Sequence, residues 1–584
     1  MIETGKASIA VVLATCGLLG WACNPAAAAV HIEGQVQAGG GPLANSTVTL
    51  WEANAGDPKQ LAQTQTGSDG RFELGTDETP SADVSLYLVA KGGVATVNKG
   101  SSDNPAIALL TVLGNTPPTK VVINEMTTVA SVWTNAQFLD GTALKGYAIG
   151  LRIAAGNVPN FVDLETGGYG VMIQDGFNSN ETPTMANFAT LSSVLAGCTT
   201  RVKADACDSL FAAATGRDGK APTDTLAAAL SIAHNAGFKP ERVFALLDAF
   251  YPVPQGKHLR ATPFMPYLNF APGAWVLPLK FSGGGNAGGA KVMFDSEGNA
   301  WSGDNFIVGW QGHDDLWPGN LSKFAPNGRP LSPMTSGFTG GGLLGPGFGT
   351  AIDANDRVWV TNTSGQTISL FNKTGKPLSP PEGYNFGGKI STMQGIIVTT
   401  NGDVWALDFG DDKVVYMPKG DPTKAKFYCQ STDGKPNKDS PCKLNGPFHL
   451  AIDQQDRIWI TNAIGDTVTR FPASDPSKVE VFPPGGGLTE LCGARTETCP
   501  AGMKTGDPIS PPDGYKGGGM QLLVDASIDP AGDVWVSNNW QDPASCYGKP
   551  DEGLSTRCGG QGIIVFYGMA KPVRSPQIGP AQAP

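Results

Sequence analysis

The amino-acid sequence predicts a multidomain, mainly β protein: a small β-sandwich, then an all-α segment, then a β-propeller with five detectable blades and five to six in total. Three observations lead to this prediction. Glycine accounts for 77 of the 584 residues and charged residues for only 16%, a composition typical of β-rich folds with many tight turns. Apolar and polar residues alternate with period two near the N-terminus. A tryptophan recurs in a fixed frame in the second half of the chain.

Residues 1–29 have the pattern of a secretory signal peptide. The apolar stretch at 9–21 is too short to span a membrane, and the alanines at 26–29 offer a cleavage site before Val30. Lipid attachment at Cys23 is the alternative, although the leucine expected three residues earlier is missing. We therefore expect an exported chain, in the periplasm, at the cell surface or outside the cell, with no transmembrane span in its mature form.

The cysteines agree with export to an oxidising compartment. Two of the ten, Cys16 and Cys23, fall within the predicted signal peptide. The other eight lie close together in sequence in pairs, which predicts four local disulfides: Cys198 with Cys207, Cys429 with Cys442, Cys492 with Cys499, and Cys546 with Cys558. Metal binding is the alternative, but no pair has the spacing of a zinc knuckle, and the chain has only five histidines.

Residues 30–117 predict a small antiparallel sandwich. Their strands alternate with period two and are separated by glycine, proline and Asp-Gly turns. The sequence pattern around these turns resembles that of the carboxypeptidase-regulatory-like, or transthyretin-like, domain. The residues that carry the resemblance are Gly34, Val36, Gly41, Pro42, Leu43, Val48, Leu50 and the run TGSDGRF at 66–72. The resemblance implies an accessory domain without catalytic activity.

Residues 118–263 change to a helical period. The predicted helices cover 124–138, 185–196, 206–214, 223–235 and 240–250. Thr223 and Asp224 supply an N-cap for the fourth, and Gly237 is placed to end it. His234 in its last turn suits the helix dipole better than a metal or catalytic role. With no catalytic motif in it, this segment is expected to be an all-α spacer.

Residues 264–568 contain internal repeats that are built around tryptophan. The tryptophans are Trp301, Trp359, Trp405, Trp459 and Trp535. Six residues before each of them is an aspartate or, once, a threonine, and three residues after each is an aspartate or an asparagine. An aromatic residue followed by glycines opens four of the copies. A unit of about 46 residues cannot bury its apolar face alone, so the units are expected to pack around an axis as propeller blades.

Two of these copies carry a family resemblance. The runs AIDANDRVWVTN at 351–362 and AIDQQDRIWITN at 451–462 resemble the repeats of NHL and virginiamycin-B-lyase-like (streptogramin-lyase-like) propellers. The resemblance implies the propeller fold. Virginiamycin B lyase uses a magnesium ion held with His and Glu residues, and the absence of a Glu-x-His motif here means that its catalytic pattern does not carry over.

Further expectations concern the ring and its loops. We predict that 275–281 pairs with 563–567 to close the ring, that a decayed sixth blade begins near Phe482, and that 569–584 forms a C-terminal tail. Insertions lie at 306–319, 419–446, 486–514 and 540–560, where recognition loops are expected.

The candidate site lies at the start of the predicted inner strands. Ten residues before the tryptophans stand Lys291, Gly349, Gly395, His449 and Asp525, which would ring the channel mouth if the repeats are equivalent. We select Lys291, His449 and Asp525 as ligand-binding candidates. The alternative is a channel mouth that is polar only because water fills it.

Asp304 and Asp408, three residues after their tryptophans, are oxygen ligands of the kind that Mg²⁺ or Ca²⁺ takes. They recur once per blade, however, as the cap of a structural turn would.

These features predict a binding or interaction scaffold for an envelope or extracellular protein, a glycan or a small molecule. The alternative is a divalent-metal-dependent lyase or lactone hydrolase working in the channel. In that case His449 would transfer the proton, Asp525 would bind or orient the metal, and Lys291 would stabilise an anion. A net charge of −11 without any basic run argues against nucleic acid as a partner.

Overall fold

A computed structural model of the chain describes residues 30–97, 102–304, 319–429, 442, 444–463, 467–482, 523–538 and 562–584. These residues form a mainly β protein with eight helices and many small antiparallel sheets. Across the described ranges, no helix has both the length and the apolar character needed to cross a membrane. The predicted signal peptide and Cys23 lie outside the described residues.

The first part is a pair of sheets. Its strands are β1 (Val30–Ala38), β2 (Gly41–Ala44), β3 (Thr47–Ala53), β4 (Lys59–Gln65), β5 (Arg71–Thr76), β6 (Ser85–Lys91), β7 (Val94–Ala95), β8 (Ala108–Gly114) and β9 (Lys120–Ile123). One sheet has the order β5-β1-β2-β7 with β9 parallel to β1, and the other has the order β4-β3-β6-β8. Val36, Leu50 and Leu88 belong to the apolar core of this region. A Cβ atom on Gly34 would lie 2.4 Å from both the Phe72 ring and the Val121 carbonyl oxygen, so β1 requires glycine there.

The helices follow. They are α1 (Glu125–Asn135), α2 (Ala148–Phe161), α3 (Val171–Gln174), α4 (Gly176–Ser179), α5 (Thr184–Thr199), α6 (Ala206–Ala213), α7 (Thr225–His234) and α8 (Pro240–Phe250); a hairpin of β10 (Leu139–Asp140) and β11 (Ala143–Leu144) separates α1 from α2. All five predicted helices form. The prediction missed α2 and the short helices α3 and α4; in α2, Gly150, Gly156 and Pro159 hide the helical pattern. Helix α7 ends with Asn235 as its C-cap, two residues before the predicted Gly237.

The helical region is not a detached spacer. Every residue of α1 is buried, so this helix cannot serve as an exposed connector. The Trp133 indole nitrogen donates to the Trp275 carbonyl oxygen at 2.9 Å, and both side chains share one apolar core with Trp535. The core therefore runs without interruption from the helices into the repeat region.

Two of the four predicted disulfides form. Cys198 and Cys207 join the end of α5 to α6, and Cys429 pairs with Cys442.

The other two predicted disulfides are not among the bonds that the structure shows. Cys492 and Cys499, expected to pair with each other, both lie outside the described residues. Cys546 and Cys558, expected to form the last pair, lie outside them as well. These two pairings therefore stay predictions.

The repeats form five small antiparallel sheets, here numbered blades 1 to 5. Strand β12 (Pro278–Phe281) precedes them. Blade 1 consists of β13 (Gly289–Phe294), β14 (Ala300–Asp304) and β15 (Asn320–Phe324), and blade 2 of β16 (Pro346–Ile352), β17 (Val358–Asn362) and β18 (Thr367–Phe371). Blade 3 consists of β19 (Met393–Val398), β20 (Val404–Asp408), β21 (Lys413–Met417) and β22 (Lys426–Tyr428); blade 4 of β23 (Pro447–Ile452), β24 (Arg457–Asn462), β25 (Thr467–Pro472) and β26 (Glu480–Phe482); and blade 5 of β27 (Leu523–Ile528), β28 (Val534–Asn538) and β29 (Ile563–Phe566). Short 3₁₀ turns at Pro418–Gly420 and Pro422–Lys424 connect β21 to β22.

Blade 5 is completed by the strand that precedes blade 1. Strand β12 pairs antiparallel with β29, with Pro278 opposite Phe566 and Phe281 opposite Ile563. The predicted pairing of 275–281 with 563–567 is therefore confirmed. The inner strands β27, β13, β16, β19 and β23 pack side by side in that order, so the five sheets follow one another around an arc.

The aromatic-glycine motifs belong to the outer edges of the blades. Phe338 bridges to Leu321 of blade 1 and Tyr384 to Ile368 of blade 2, so each aromatic residue ends one blade before the glycines lead to the next. Phe482 likewise ends β26, the outer strand of blade 4.

Several predicted features of the repeat region fall in undescribed parts of the chain. The predicted sixth blade falls within 483–522, outside the described residues. The predicted insertions at 486–514 and 540–560, and that at 306–319 except for its last residue, lie outside them too. The recognition role of these loops stays a prediction.

The fixed spacing from aspartate to tryptophan has a local cause. In blade 2, Asp353 accepts hydrogen bonds from the backbone nitrogens of Asn355 and Arg357, and its other oxygen accepts from the Trp359 indole nitrogen at 3.1 Å. The same carboxylate-to-indole bond measures 3.0 Å in blade 1, 2.7 Å in blade 4 and 3.0 Å in blade 5. One carboxylate thus caps the turn after the inner strand and fixes the tryptophan of the next strand; we call this pair the turn lock.

Blade 3 lacks the turn lock. Thr399 stands in place of the aspartate and accepts a hydrogen bond from the Asp403 backbone nitrogen at 3.1 Å. The Trp405 indole nitrogen is buried and has no hydrogen-bond partner among the described residues.

Candidate functional site

The five predicted mouth positions fall into two groups. Gly349 and Gly395 lie where neighbouring inner strands touch: a Cβ atom would be 2.2 Å from the Gln394 carbonyl oxygen in the first case and 2.9 Å from the Phe448 carbonyl oxygen in the second. These glycines permit close packing between blades. Lys291, His449 and Asp525 occupy the corresponding places on β13, β23 and β27, where a polar side chain stands in place of glycine.

The structure places Lys291 within electrostatic range of both other candidates. Partial burial lowers the pKa of the half-buried His449 to about 4, and the nearby positive charge of Lys291 adds to the shift. Burial raises the pKa of Asp525, while Lys291 opposes this rise. His449 is consequently neutral at pH 7 and has a ring nitrogen available as a hydrogen-bond acceptor.

Asp525 is held by blade 1 as well as by its own strand. Its carboxylate accepts a hydrogen bond from the Val292 backbone nitrogen at 3.3 Å and from the Ser527 hydroxyl at 3.3 Å. The same hydroxyl lies 2.6 Å from the Val292 carbonyl oxygen. Asp525 therefore links blade 5 to blade 1 while its charge lies near Lys291.

Three aromatic rings that were not predicted from the sequence form a cluster around Phe448, the neighbour of His449. Phe348 on β16 and Phe448 on β23 have ring centroids 5.4 Å apart, and Phe409, directly after β20, lies 6.1 Å from Phe448. The Phe448 ring also contacts the His449 imidazole edge to face, at 5.0 Å. All three rings are partly exposed. We call them the aromatic mouth, because blades 2, 3 and 4 contribute one ring each.

A sequence signal for this cluster exists in the repeat frame. Phe348 and Phe448 both stand eleven residues before their tryptophans, Trp359 and Trp459, next to the predicted mouth positions. Phe409 stands four residues after its tryptophan, where no other copy has an aromatic residue. Only the fold shows that it joins the other two rings.

The two metal candidates lie on different blades, and each accepts hydrogen bonds from protein groups. Asp304 is fully buried and accepts hydrogen bonds from the side-chain amides of Asn286 at 2.8 Å and Asn320 at 3.1 Å. Burial raises its pKa well above the usual value.

Asp408 is held by a different set of partners. It accepts hydrogen bonds from the Ser391 backbone nitrogen at 2.9 Å and from the Ser391 hydroxyl at 3.0 Å, and it lies 3.4 Å from the Lys413 ammonium. Burial raises its pKa, and these contacts oppose the rise. Among the residues that the structure describes, no group of three or more His, Cys, Asp and Glu side chains is arranged to hold a metal ion.

Comparison with known proteins finds only distant likenesses to solved structures. No protein-family model and no curated protein matches the chain. Among solved structures, a streptogramin B lyase is 14% identical with a TM-score of 0.26, covering 45% of this chain and 66% of its own. Virginiamycin B lyase from Staphylococcus aureus is 15% identical with a TM-score of 0.26, covering 45% and 68%. A gluconolactonase from Xanthomonas campestris is 12% identical with a TM-score of 0.25, covering 50% and 89%.

The matched region is about half of this chain, and it spans about two thirds of the length of the two lyases. These neighbours are β-propellers, and at such TM-scores the likeness carries no conclusion about this chain.

Proposed function

We propose that this chain is an exported β-propeller binding protein that captures an extracellular or envelope ligand at the aromatic mouth. The observation that carries the proposal is the cluster of Phe348, Phe409 and Phe448, three partly exposed rings of which Phe448 contacts the neutral His449. Exposed aromatic rings next to a few polar groups are typical of ligand sites.

The chemistry of the mouth favours a ligand with one apolar face and polar edges. The rings offer stacking area, His449 offers an acceptor and Lys291 a cation. A glycan ring or a peptide side chain has this character, and both are available outside the cell.

Export and the accessory role of the N-terminal sandwich are parts of the same proposal. Two local disulfides suit an oxidising compartment. The sandwich, which we propose to be a carboxypeptidase-regulatory-like domain, would support the propeller through the continuous core rather than bind the ligand itself.

The test is a thermal-shift screen of the mature protein against soluble glycans and short peptides, followed by titration of each compound that shifts its melting temperature. Loss of one stacked ring is worth about 1 to 3 kcal/mol, so Phe448→Ala is expected to weaken binding about tenfold or more. Phe427→Ala is the matched control, because Phe427 is a partly buried ring of blade 3 that contacts Phe386 edge to face, away from the mouth. Binding that survives both Phe448→Ala and Phe348→Ala would place the ligand elsewhere.

A second candidate is a lyase or lactone hydrolase acting in the channel. It is favoured by the neutral imidazole of His449, which has an unprotonated ring nitrogen near pH 7 and lies in the field of the Lys291 cation. In this case Asp525 would bind or orient a divalent ion such as Mg²⁺ or Ca²⁺. Chelator-sensitive opening of a lactone or cyclic ester that disappears in His449→Ala and persists in Phe427→Ala would replace the binding proposal.

A further inference from the structure

The C-terminal tail crosses one end of the blades. The Val573 backbone nitrogen donates to the Asp529 carbonyl oxygen of blade 5 at 3.1 Å. Further along, the Gly579 nitrogen donates to the Val398 carbonyl oxygen of blade 3 at 2.8 Å, and Ile578 packs against the apolar core there. The tail therefore extends from blade 5 to blade 3 on the side where the inner strands end.

A cavity of about 220 Å³ lies beneath the tail. Its walls are the ends of the inner strands β13 and β27, and the tail covers it. The polar residues that line it are Lys291, Ser527, Arg574, Ser575 and Gln577. Its lining lies toward the ends of the inner strands and includes Lys291 but none of the three rings of the aromatic mouth.

The cavity lining has an excess of hydrogen-bond donors. The Lys291 ammonium and the Arg574 guanidinium form no salt bridge or hydrogen bond within the described ranges, and the buried Ser575 hydroxyl has no hydrogen-bond partner among those residues either. The nearby carboxylate, Asp525, is already bonded to the Val292 nitrogen and the Ser527 hydroxyl. Two cations against one carboxylate leave a net positive charge, which suits an anion rich in acceptors.

We propose that this cavity is a binding site for a small organic anion, a carboxylate or a phosphate ester, that the tail covers. Arg574 offers the two-pronged geometry that carboxylates and phosphates accept, Ser575 supplies a donor, and Lys291 supplies charge from the opposite wall. The site shares Lys291 with the proposed function but uses none of the rings of the aromatic mouth. Either proposal therefore stands or fails without the other.

The experiment is isothermal titration of the mature full chain with succinate, citrate and inorganic phosphate at constant ionic strength, with chloride as the balancing anion. Wild type is expected to bind one of the three saturably. Loss of one charged hydrogen bond changes affinity about tenfold, so Arg574→Gln is expected to weaken binding by about that factor, and Ser575→Ala less. Lys571→Gln, which changes an exposed cation of the same tail outside the cavity lining, is expected to bind like wild type.

The three probes also separate the classes of ligand. Preference for succinate or citrate identifies a carboxylate site, and preference for phosphate identifies a phosphate-ester site. No saturable binding of any probe, or equal loss in Arg574→Gln and Lys571→Gln, would overturn the proposal. Anion binding that is lost in Phe448→Ala and retained in Arg574→Gln would also overturn it, because the anion would then bind at the aromatic mouth.

Discussion

Blades 2 and 5 each carry the aspartate of the turn lock at the same repeat position, but the residue that faces it has opposite charge in the two blades. In blade 2, the Arg357 side chain donates to Asp353 at 2.7 Å. In blade 5 the equivalent position holds a second carboxylate, Asp533, fully buried beside Asp529. The comparison shows that the repeat keeps its geometry through the lock itself, while the partner residue follows the surroundings of each turn.

Those surroundings differ in exposure. The Arg357 side chain is 31% exposed, so its charge stays in contact with water. The turn of blade 5 is covered by the helical region, where Tyr147 donates to the Pro530 carbonyl oxygen, and Asp533 accepts from the Gly568 nitrogen at 2.8 Å. A covered turn has no room for a solvated arginine head, and it holds a carboxyl group in place of one.

The largest effect is expected from removing a complete lock. Asp353→Ala deletes the acceptor of two backbone nitrogens and of the Trp359 indole, which leaves buried donors unsatisfied. We expect a loss of about 3 kcal/mol in the free energy of unfolding. Differential scanning calorimetry of the mature protein measures it as a fall in melting temperature.

Thr399→Ala in blade 3 is the matched control for this change. The Thr399 hydroxyl accepts one backbone hydrogen bond and donates to the Asn401 side-chain oxygen at 2.6 Å, but it has no bond to tryptophan, so its removal is expected to cost about 1 to 2 kcal/mol. Equal losses in the two variants would show that the turn, and not the bond to tryptophan, carries the stabilisation.

An intermediate effect, of opposite sign, is expected in blade 5. Burial raises the pKa of Asp529 to about 6, and burial together with the Asp529 charge raises the pKa of Asp533 well above its ordinary value of 3.8. Because the folded state holds these protons more tightly than the unfolded state, their contribution to stability is fully present below pH 3.8 and is lost as the pH rises through the folded pKa values. Asp533→Asn is therefore expected to be more stable than wild type by about 1 to 2 kcal/mol near pH 8 and equal to it near pH 4.

Asp403→Asn in blade 3 is the control at the same repeat position. Asp403 accepts hydrogen bonds from the Tyr416 hydroxyl at 3.0 Å and from the Lys419 backbone nitrogen at 2.8 Å, so both of its carboxylate oxygens have a partner. This variant is expected to lose stability near pH 8, where Asp533→Asn gains it. Melting temperatures of both variants across the pH range check the two signs, and a loss in both would contradict the buried carboxyl pair.

The parts of the fold that were predictable from sequence depend on short-range geometry. The bond from Asp353 to Trp359 spans six residues, so it leaves a fixed spacing in the chain. The pairing of β12 with β29 was predictable because a ring of repeats must join its last unit to its first.

The parts that were not predictable depend on distant contacts. Phe409 reaches Phe448 only through the packing of blade 3 on blade 4. The raised pKa values of the Asp529–Asp533 pair depend on burial by helices from elsewhere in the chain. The cavity under the tail requires Arg574 to lie over β13, far away in sequence. In each case the sequence records the residue types but not which segments meet.

The smallest effect is expected from the tryptophans themselves. Trp359→Phe removes a donor from Asp353, which keeps its backbone and Arg357 contacts, so the lost hydrogen bond costs about 1 kcal/mol beyond the change in ring size. Trp405→Phe removes an indole nitrogen that has no partner among the described residues, so only the change in ring size remains. We expect Trp359→Phe to be less stable than Trp405→Phe by about 1 kcal/mol in urea unfolding. Because both substitutions remove the same atoms from fully buried rings, equal losses would mean that ring packing alone sets the cost and that the bond to aspartate adds nothing to it.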